Sequence, residues 1–138
     1  MPVTPTLSFA SVFASDIEKL STFYADLLGL PEVTELRSEH FRGLRIGPTI
    51  LGFSAPSAYA MLNLTAPGEG AEGVDTFLTF EMPDAATVDS TTAAAVAAGA
   101  RCVREPGRTY YGAWQSVLLD PEGNAFRLNY LPLESAQH

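Results

Sequence analysis

Two periods of apolar spacing follow one another along the chain, and the switch between them marks the elements. Residues 7–14, LSFASVFA, form a short apolar run of strand character. Ser15 and Asp16 then offer an N-cap, and IEKLSTFYADLLG carries Ile17, Leu20, Phe23 or Tyr24, and Leu27 or Leu28 at helical spacing. Gly29 is placed to stop that helix in a left-handed cap. Beyond Pro31, the segments EVTELR, HFRGLRI and TILGFS predict three short strands, broken near Ser38 and at Gly47-Pro48. AYAMLNLT either extends that set or leads out of it.

Residues 66–73, APGEGAEG, have no periodicity and read as a linker. After them the order returns. A strand, VDTFLTFEM, is followed by Pro83-Asp84 as a cap and by AATVDSTTAAAVAAG, helical through alanine propensity more than through an apolar stripe. Three strands then follow, RCVRE, AWQSVLLD and NAFRLNYL. The pattern is β-α-β-β-β written twice, with Asp16 and Asp84 as matching caps and Gly29 and Gly99 as matching stops. The expected fold class is α+β: a first βαβββ module over 1–65, the linker, and a second module over 74–138, within one structural domain. One sheet and one helix bury too little apolar surface alone. Two such sheets curving toward each other as one mixed sheet would enclose a cavity, where a ligand would sit.

Composition narrows the partners. The chain has 138 residues, enough for a real core, with 46% hydrophobic and 17% charged positions. Sixteen acidic against eight basic residues give a net charge of -8, a poor basis for holding nucleic acid. A neutral or cationic small molecule is favoured electrostatically. No apolar run approaches a membrane span, and MPVTPTLSF lacks the features of a signal peptide, so a cytoplasmic location is expected. The single Cys102 has no internal disulfide partner. It reads as a small half-buried core residue, with Arg101 and Arg104 nearby as the argument for a reactive thiol instead.

The segments VFASDIEKLSTFYADLLGL, the strand ending MPD, and YGAWQSVLLDPEGNAFRL together resemble the vicinal oxygen chelate superfamily, which includes glyoxalase I, extradiol dioxygenases and bleomycin-resistance proteins. The resemblance implies paired βαβββ modules and a homodimer. It also implies where metal ligands would stand: at Phe9, at Phe77 and at Arg127. Phenylalanine has no donor atom and guanidinium carries a fixed positive charge, so no metal and no other cofactor is expected. A metal-dependent glyoxalase or dioxygenase would need unfamiliar ligands.

Alternation puts Phe9, Ser11, Phe13, Phe77, Thr79, Glu81, Arg127 and Asn129 on the cavity side, with Ala10, Val12, Leu78, Phe80 and Met82 under the helices. Phe9 and Phe77 either fill space or meet a ligand. Glu81 and Arg127 either neutralise each other across the cavity floor or touch the ligand directly. RTYYGAWQS resembles the bleomycin-resistance segment in which an aromatic before glycine contacts drug, which brings in Tyr111 with Tyr110 and Trp114 beside it. Trp114 fits a core or dimer-interface role equally well. HFRGLR presents His40, a general-base candidate with no partner carboxylate fixed by spacing. The expected function is metal-free sequestration of a hydrophobic or aromatic ligand, cationic ones included, by a homodimer. The alternative is a metal-independent isomerase or lyase using His40, Glu81 or a tyrosine.

Overall fold

A computed structural model describes residues 6–68, 73, 74 and 76–132. Residues 69–72 of the expected linker, and the terminal His138, lie outside the described residues. The chain divides into two compact units, Met1–Ala71 and Glu72–His138. The class is α+β, built on a three-stranded and a four-stranded mixed sheet, neither closed into a barrel.

In the first unit, β1 (Phe9–Phe13) lies parallel to β3 (Thr49–Ser54), which pairs antiparallel with β2 (Phe41–Ile46). Helix α1 (Ile17–Leu28) packs on one face of this sheet. The Asp16 carboxylate accepts from Lys19 N at 3.0 Å and starts the helix. Gly29, at φ 67°, ends it and donates to Ala25 O, because only glycine adopts that left-handed turn without strain. Leu20 and Tyr24 are buried against Leu44, Leu51 and Phe53, so α1 contributes the 3.6-residue stripe and the strands the alternate positions.

One expected strand is absent here, and AYAMLNLT takes the lead-out alternative. EVTELR is not a strand: Thr34–Leu36 is one turn of 3-10 helix, tied to the sheet through a single bridge from Glu32 to Leu44. The cause is local, since the Glu32 carboxylate takes a two-pronged contact from Arg37 at 2.5 and 2.9 Å and folds the segment back on itself. That pairing also holds the Glu32 carboxyl below its usual range. AYAMLNLT adds nothing to the sheet either. Ser57–Met61 forms the short helix α2, which closes at Asn63 with φ 58°.

In the second unit, the expected β-α-β-β-β order is complete. Strand β4 (Phe77–Glu81) leads through the Asp84 cap into α3 (Ala85–Ala97), and β5 (Arg101–Arg108), β6 (Trp114–Leu119) and β7 (Ala125–Tyr130) follow. The strand order is β4-β7-β6-β5, with β4 parallel to β7 and the other pairs antiparallel. Both units therefore set their first strand parallel to their last. Helix α3 packs on β5, β6 and β7, burying Val88, Thr92 and Ala95 against a face that holds Phe80, Ser116, Leu118, Phe126 and Leu128. Edge strand β5 shifts register twice between Cys102 and Gly107, around Pro106, which has no N–H to donate. Among the described residues, no helix is long and apolar enough to cross a membrane.

Candidate functional site

The turn at 120–124 sets the geometry of the second unit's sheet. Asp120 is 4% exposed, and its Oδ1 accepts from Glu122 N at 2.9 Å and Asn124 N at 3.0 Å, while Gly123 turns through φ 86°. This turn pairs Leu119 with Ala125, and the register then places Val117 opposite Arg127 and Gln115 opposite Asn129. On the other side of β7, Thr79 lies opposite Arg127 and Glu81 opposite Asn129. Because paired residues share a face, Thr79, Glu81, Gln115, Arg127 and Asn129 stand together on the side away from α3.

Those side chains form one connected network. Arg127 Nε donates to Thr79 Oγ1 at 2.9 Å, and a terminal guanidinium nitrogen donates to the Tyr111 hydroxyl at 3.4 Å. Gln115 Nε2 donates to that same hydroxyl and to Asn129 Oδ1, both at 2.9 Å. Asn129 Nδ2 in turn donates to Glu81 Oε1 at 2.9 Å, and Glu81 Oε2 accepts from Leu131 N at 2.7 Å. The guanidinium carbon sits 4.8 Å from the centre of the Phe77 ring, so the plane of charge rests on an aromatic face. The hydrogen bond from Gln115, with the Arg127 charge behind it, holds the Tyr111 phenol below its ordinary pKa.

Of the two readings of Glu81 and Arg127, mutual neutralisation is not seen among the described residues. Among the described residues, no carboxylate lies within ion-pair distance of Arg127. Both Glu81 oxygens are already engaged, by the Asn129 amide and by the main chain leaving β7. Alternation put the two residues on one face, but the register sets them one pair apart, and the closer amide takes the carboxylate.

Trp114 is also placed differently from the aromatic slot. It shares the α3 side of the sheet with Ser116 and Leu118, and its indole Nε1 donates to Asp89 Oδ1 on α3 at 2.8 Å. There it lines an open groove of about 640 Å3 with Val96, Ala93, Glu105 and Pro106, on the opposite face from Arg127. The polar side chains converge on the other face. Tyr110 is fully exposed, with its ring edge-on to Tyr111 at 5.0 Å. Cys102 is partly buried, and burial together with Glu105 pushes its thiol pKa up, the reverse of activation by the neighbouring arginines.

In the first unit, Phe9, Ser11 and Phe13 share the face away from α1. Phe13 stacks on Tyr59 of α2 at 3.7 Å, and Phe9 meets Phe41 edge-on at 6.1 Å. Gly43 and Gly52 are cross-strand partners, and they leave the space that the Phe41 ring occupies. A Cβ on Gly52 would stand 2.5 Å from Ser11 Oγ and 2.7 Å from that ring. His40 has partners on both nitrogens: Ser57 Oγ at 2.6 Å and the carboxylate of Glu39, next to it in sequence, at 3.2 Å. Its carbonyl also accepts from Ala55 N, so the residue fastens the start of α2 to β2.

Sequence reasoning missed Gln115 and Phe41. The first was readable by counting back from the 120–124 turn, which sets Gln115 against Asn129. The second was signalled by the glycine two residues after it in a strand, since glycine inside a strand marks a close approach.

The superfamily resemblance implies a divalent ion with ligands at the positions of Phe9, Phe77 and Arg127. These residues do not fit one. Two phenyl rings offer no lone pair, and the guanidinium is a cation hydrogen-bonded in place. Among the described residues, no group of three or more His, Cys, Asp or Glu side chains could hold a metal.

Two mixed sheets, each with its first strand parallel to its last and a long helix packed on one face, define a glyoxalase-like α+β protein. Residues 6–128 match the family model of the glyoxalase/bleomycin resistance protein/dioxygenase superfamily, and the chain belongs to that superfamily. It is similar to the crystal structure of a glyoxalase/bleomycin resistance protein/dioxygenase family enzyme from Burkholderia phytofirmans PsJN, at 38% identity and a TM-score of 0.86, over 93% of this chain and 100% of that one. Lactoylglutathione lyase from Agrobacterium tumefaciens shares the fold at 20% identity and TM-score 0.70, over 92% and 94% of the two chains. TioX from Micromonospora sp. ML1 does so at 17% and 0.67, over 91% and 98%. No curated protein sequence matches the chain at a significant level.

Proposed function

We propose that this protein is a metal-free member of its superfamily that binds and sequesters a hydrophobic or aromatic small molecule, working as a homodimer. The observation that carries the reading is the seating of Arg127 on Phe77. At two positions where this scaffold would place metal ligands, the chain has a cation stacked on a ring and hydrogen-bonded to Thr79 and Tyr111. Phe77 and Tyr111 remain 58% and 42% exposed around it, so flat apolar surface adjoins fixed polar groups, the usual composition of a small-molecule site.

The experiment is calorimetric titration with a panel of planar aromatic compounds, with the ligand recovered afterwards and analysed. Saturable binding with the compound recovered unchanged supports sequestration. Failure of every planar compound to bind would remove the reading. Calorimetry suits the site better than tryptophan quenching, because Trp114 lies on the far face of the sheet. Sedimentation equilibrium tests the dimer, which requires twice the 14.7 kDa chain mass.

A second reading, metal-independent acid–base catalysis, is favoured by one feature. The Tyr111 phenol is held below its ordinary pKa beside a guanidinium, a pairing suited to moving a proton. Product formation that disappears in Tyr111→Phe would establish it. Glu81 is less suited to the task, having both oxygens engaged in hydrogen bonds.

A further inference from the structure

We infer that the ligand of this site is an aromatic anion: a flat apolar body bearing a carboxylate that docks on Arg127. The inference rests on the small-molecule reading above and fixes the sign of charge within it. Net charge and aromatic faces by themselves favour a cationic ligand. The side-chain geometry reverses that preference.

The aromatic face nearest the network, that of Phe77, already carries a cation. Arg127 lies over the Phe77 ring at 4.8 Å, so a ligand ammonium approaching it would meet a guanidinium. Among the described residues, the guanidinium itself has only neutral partners, the hydroxyls of Thr79 and Tyr111. The carboxylate of this network, Glu81, is held away by Asn129 Nδ2 and Leu131 N. Asn129 and Gln115 are 7% and 4% exposed, so this arrangement is packed in place and not a chance surface rotamer.

A planar fork of N–H donors, half-buried and without an acidic partner, matches the two oxygens of a carboxylate. With Nε and one terminal nitrogen directed at Thr79 and Tyr111, the remaining N–H groups are the donors for the ligand. The exposed ring of Tyr111, with Tyr110 edge-on to it, supplies surface for the flat body. The Tyr111 hydroxyl lies close enough to Arg127 to share in holding the anion. The acidic balance of the whole chain then acts as a filter. It repels anions at long range, so a bound one must gain its affinity from the fork itself.

The test uses three probes of one shape, 2-naphthoate, 2-naphthamide and 2-naphthylmethylammonium, titrated calorimetrically into the full chain. Naphthoate is expected to bind about tenfold more tightly than the amide, in keeping with a charge-assisted pair, and the ammonium more weakly than either. In Arg127→Gln the ratio of naphthoate to naphthamide affinity falls to about one, the order expected when the charged donor is lost. Arg127→Lys, which keeps the charge without the planar fork, retains only part of the ratio and serves if the glutamine variant does not fold. Equal affinity of acid and amide, or tightest binding of the ammonium, overturns the anion inference while leaving the small-molecule reading intact. Absence of binding by all three overturns both.

Discussion

Tyr111 and Arg127 come from different parts of the second unit, a turn before β6 and the centre of β7, and their meeting gives the site a spectroscopic handle. Gln115 and the Arg127 charge stabilise the phenolate, so one phenol should ionise below the ordinary tyrosine range. The folded value is depressed below the unfolded one. The ionised hydroxyl therefore adds stability that is fully present above the unfolded value and is lost as pH falls through the folded one; near neutrality it adds none. Ultraviolet titration of the wild type should show this early phase, Tyr111→Phe should lack it, and Arg127→Gln should move it upward. Identical curves for all three proteins would refute the pairing. In the first unit, the sharpest constraint at this scale is a missing side chain. Gly52→Ala would drive a methyl group into Ser11 Oγ and the Phe41 ring, and it is expected to cost about 1–3 kcal/mol in chemical denaturation, the range for overpacking. Alternation showed which face Arg127 takes, but not its partner. That choice depends on sub-ångström competition between Thr79, Glu81 and Tyr111, which no period in the sequence encodes.

At the scale of elements, the caps and the breaks were legible because each depends on a single residue type. Asp16 and Asp84 start α1 and α3 as expected, and hydrogen bonds from the Thr87 hydroxyl and backbone keep the Asp84 carboxyl below its usual range. The segment EVTELR, which is not a strand, and the helix at Ser57–Met61 carry side-chain pairings, Arg37 with Glu32 and Tyr59 with Phe13, that local propensity does not report. Helix α3 shows a third case. It is alanine-rich, and its joint with the sheet is partly polar: Thr92 Oγ1 donates to Val88 O at 2.6 Å and lies 2.7 Å from Ser116 Oγ, which is fully buried. The Thr92 proton is used on Val88, so Ser116 must donate to Thr92. Thr92→Val should then strand the Ser116 hydroxyl and cost about 1–3 kcal/mol, while Thr92→Val with Ser116→Ala should recover part of that loss. The coupling is read from urea unfolding of both single variants and the pair. Strict additivity would show that the hydroxyl pair does not join α3 to the sheet.

For the whole molecule, the decisive contrast lies between its acidity and the lack, among the described residues, of any cluster of metal-binding groups. A net charge of -8 draws divalent cations toward the surface, so weak uptake at low salt is expected of any such protein. Such uptake is diffuse and is screened at about 0.15 M salt, where the Debye length is near 8 Å. A chelated ion would survive that screening. The chain contains two histidines in all, and the positions that the superfamily resemblance implies for ligands hold Phe9, Phe77 and Arg127, of which the last repels a cation. Zinc, nickel or manganese added to the protein should therefore be removed by gel filtration at about this ionic strength. A chelator should leave both the melting temperature and the affinity for 2-naphthoate unchanged, since ligand recognition passes through a guanidinium and not through a metal-bound oxygen pair. Retention of a stoichiometric ion after that filtration, or loss of naphthoate binding on chelation, would mean that other side chains rebuild a metal centre. The anion would then be recognised by the metal, and Arg127 would have to be reassigned to holding the sheet together.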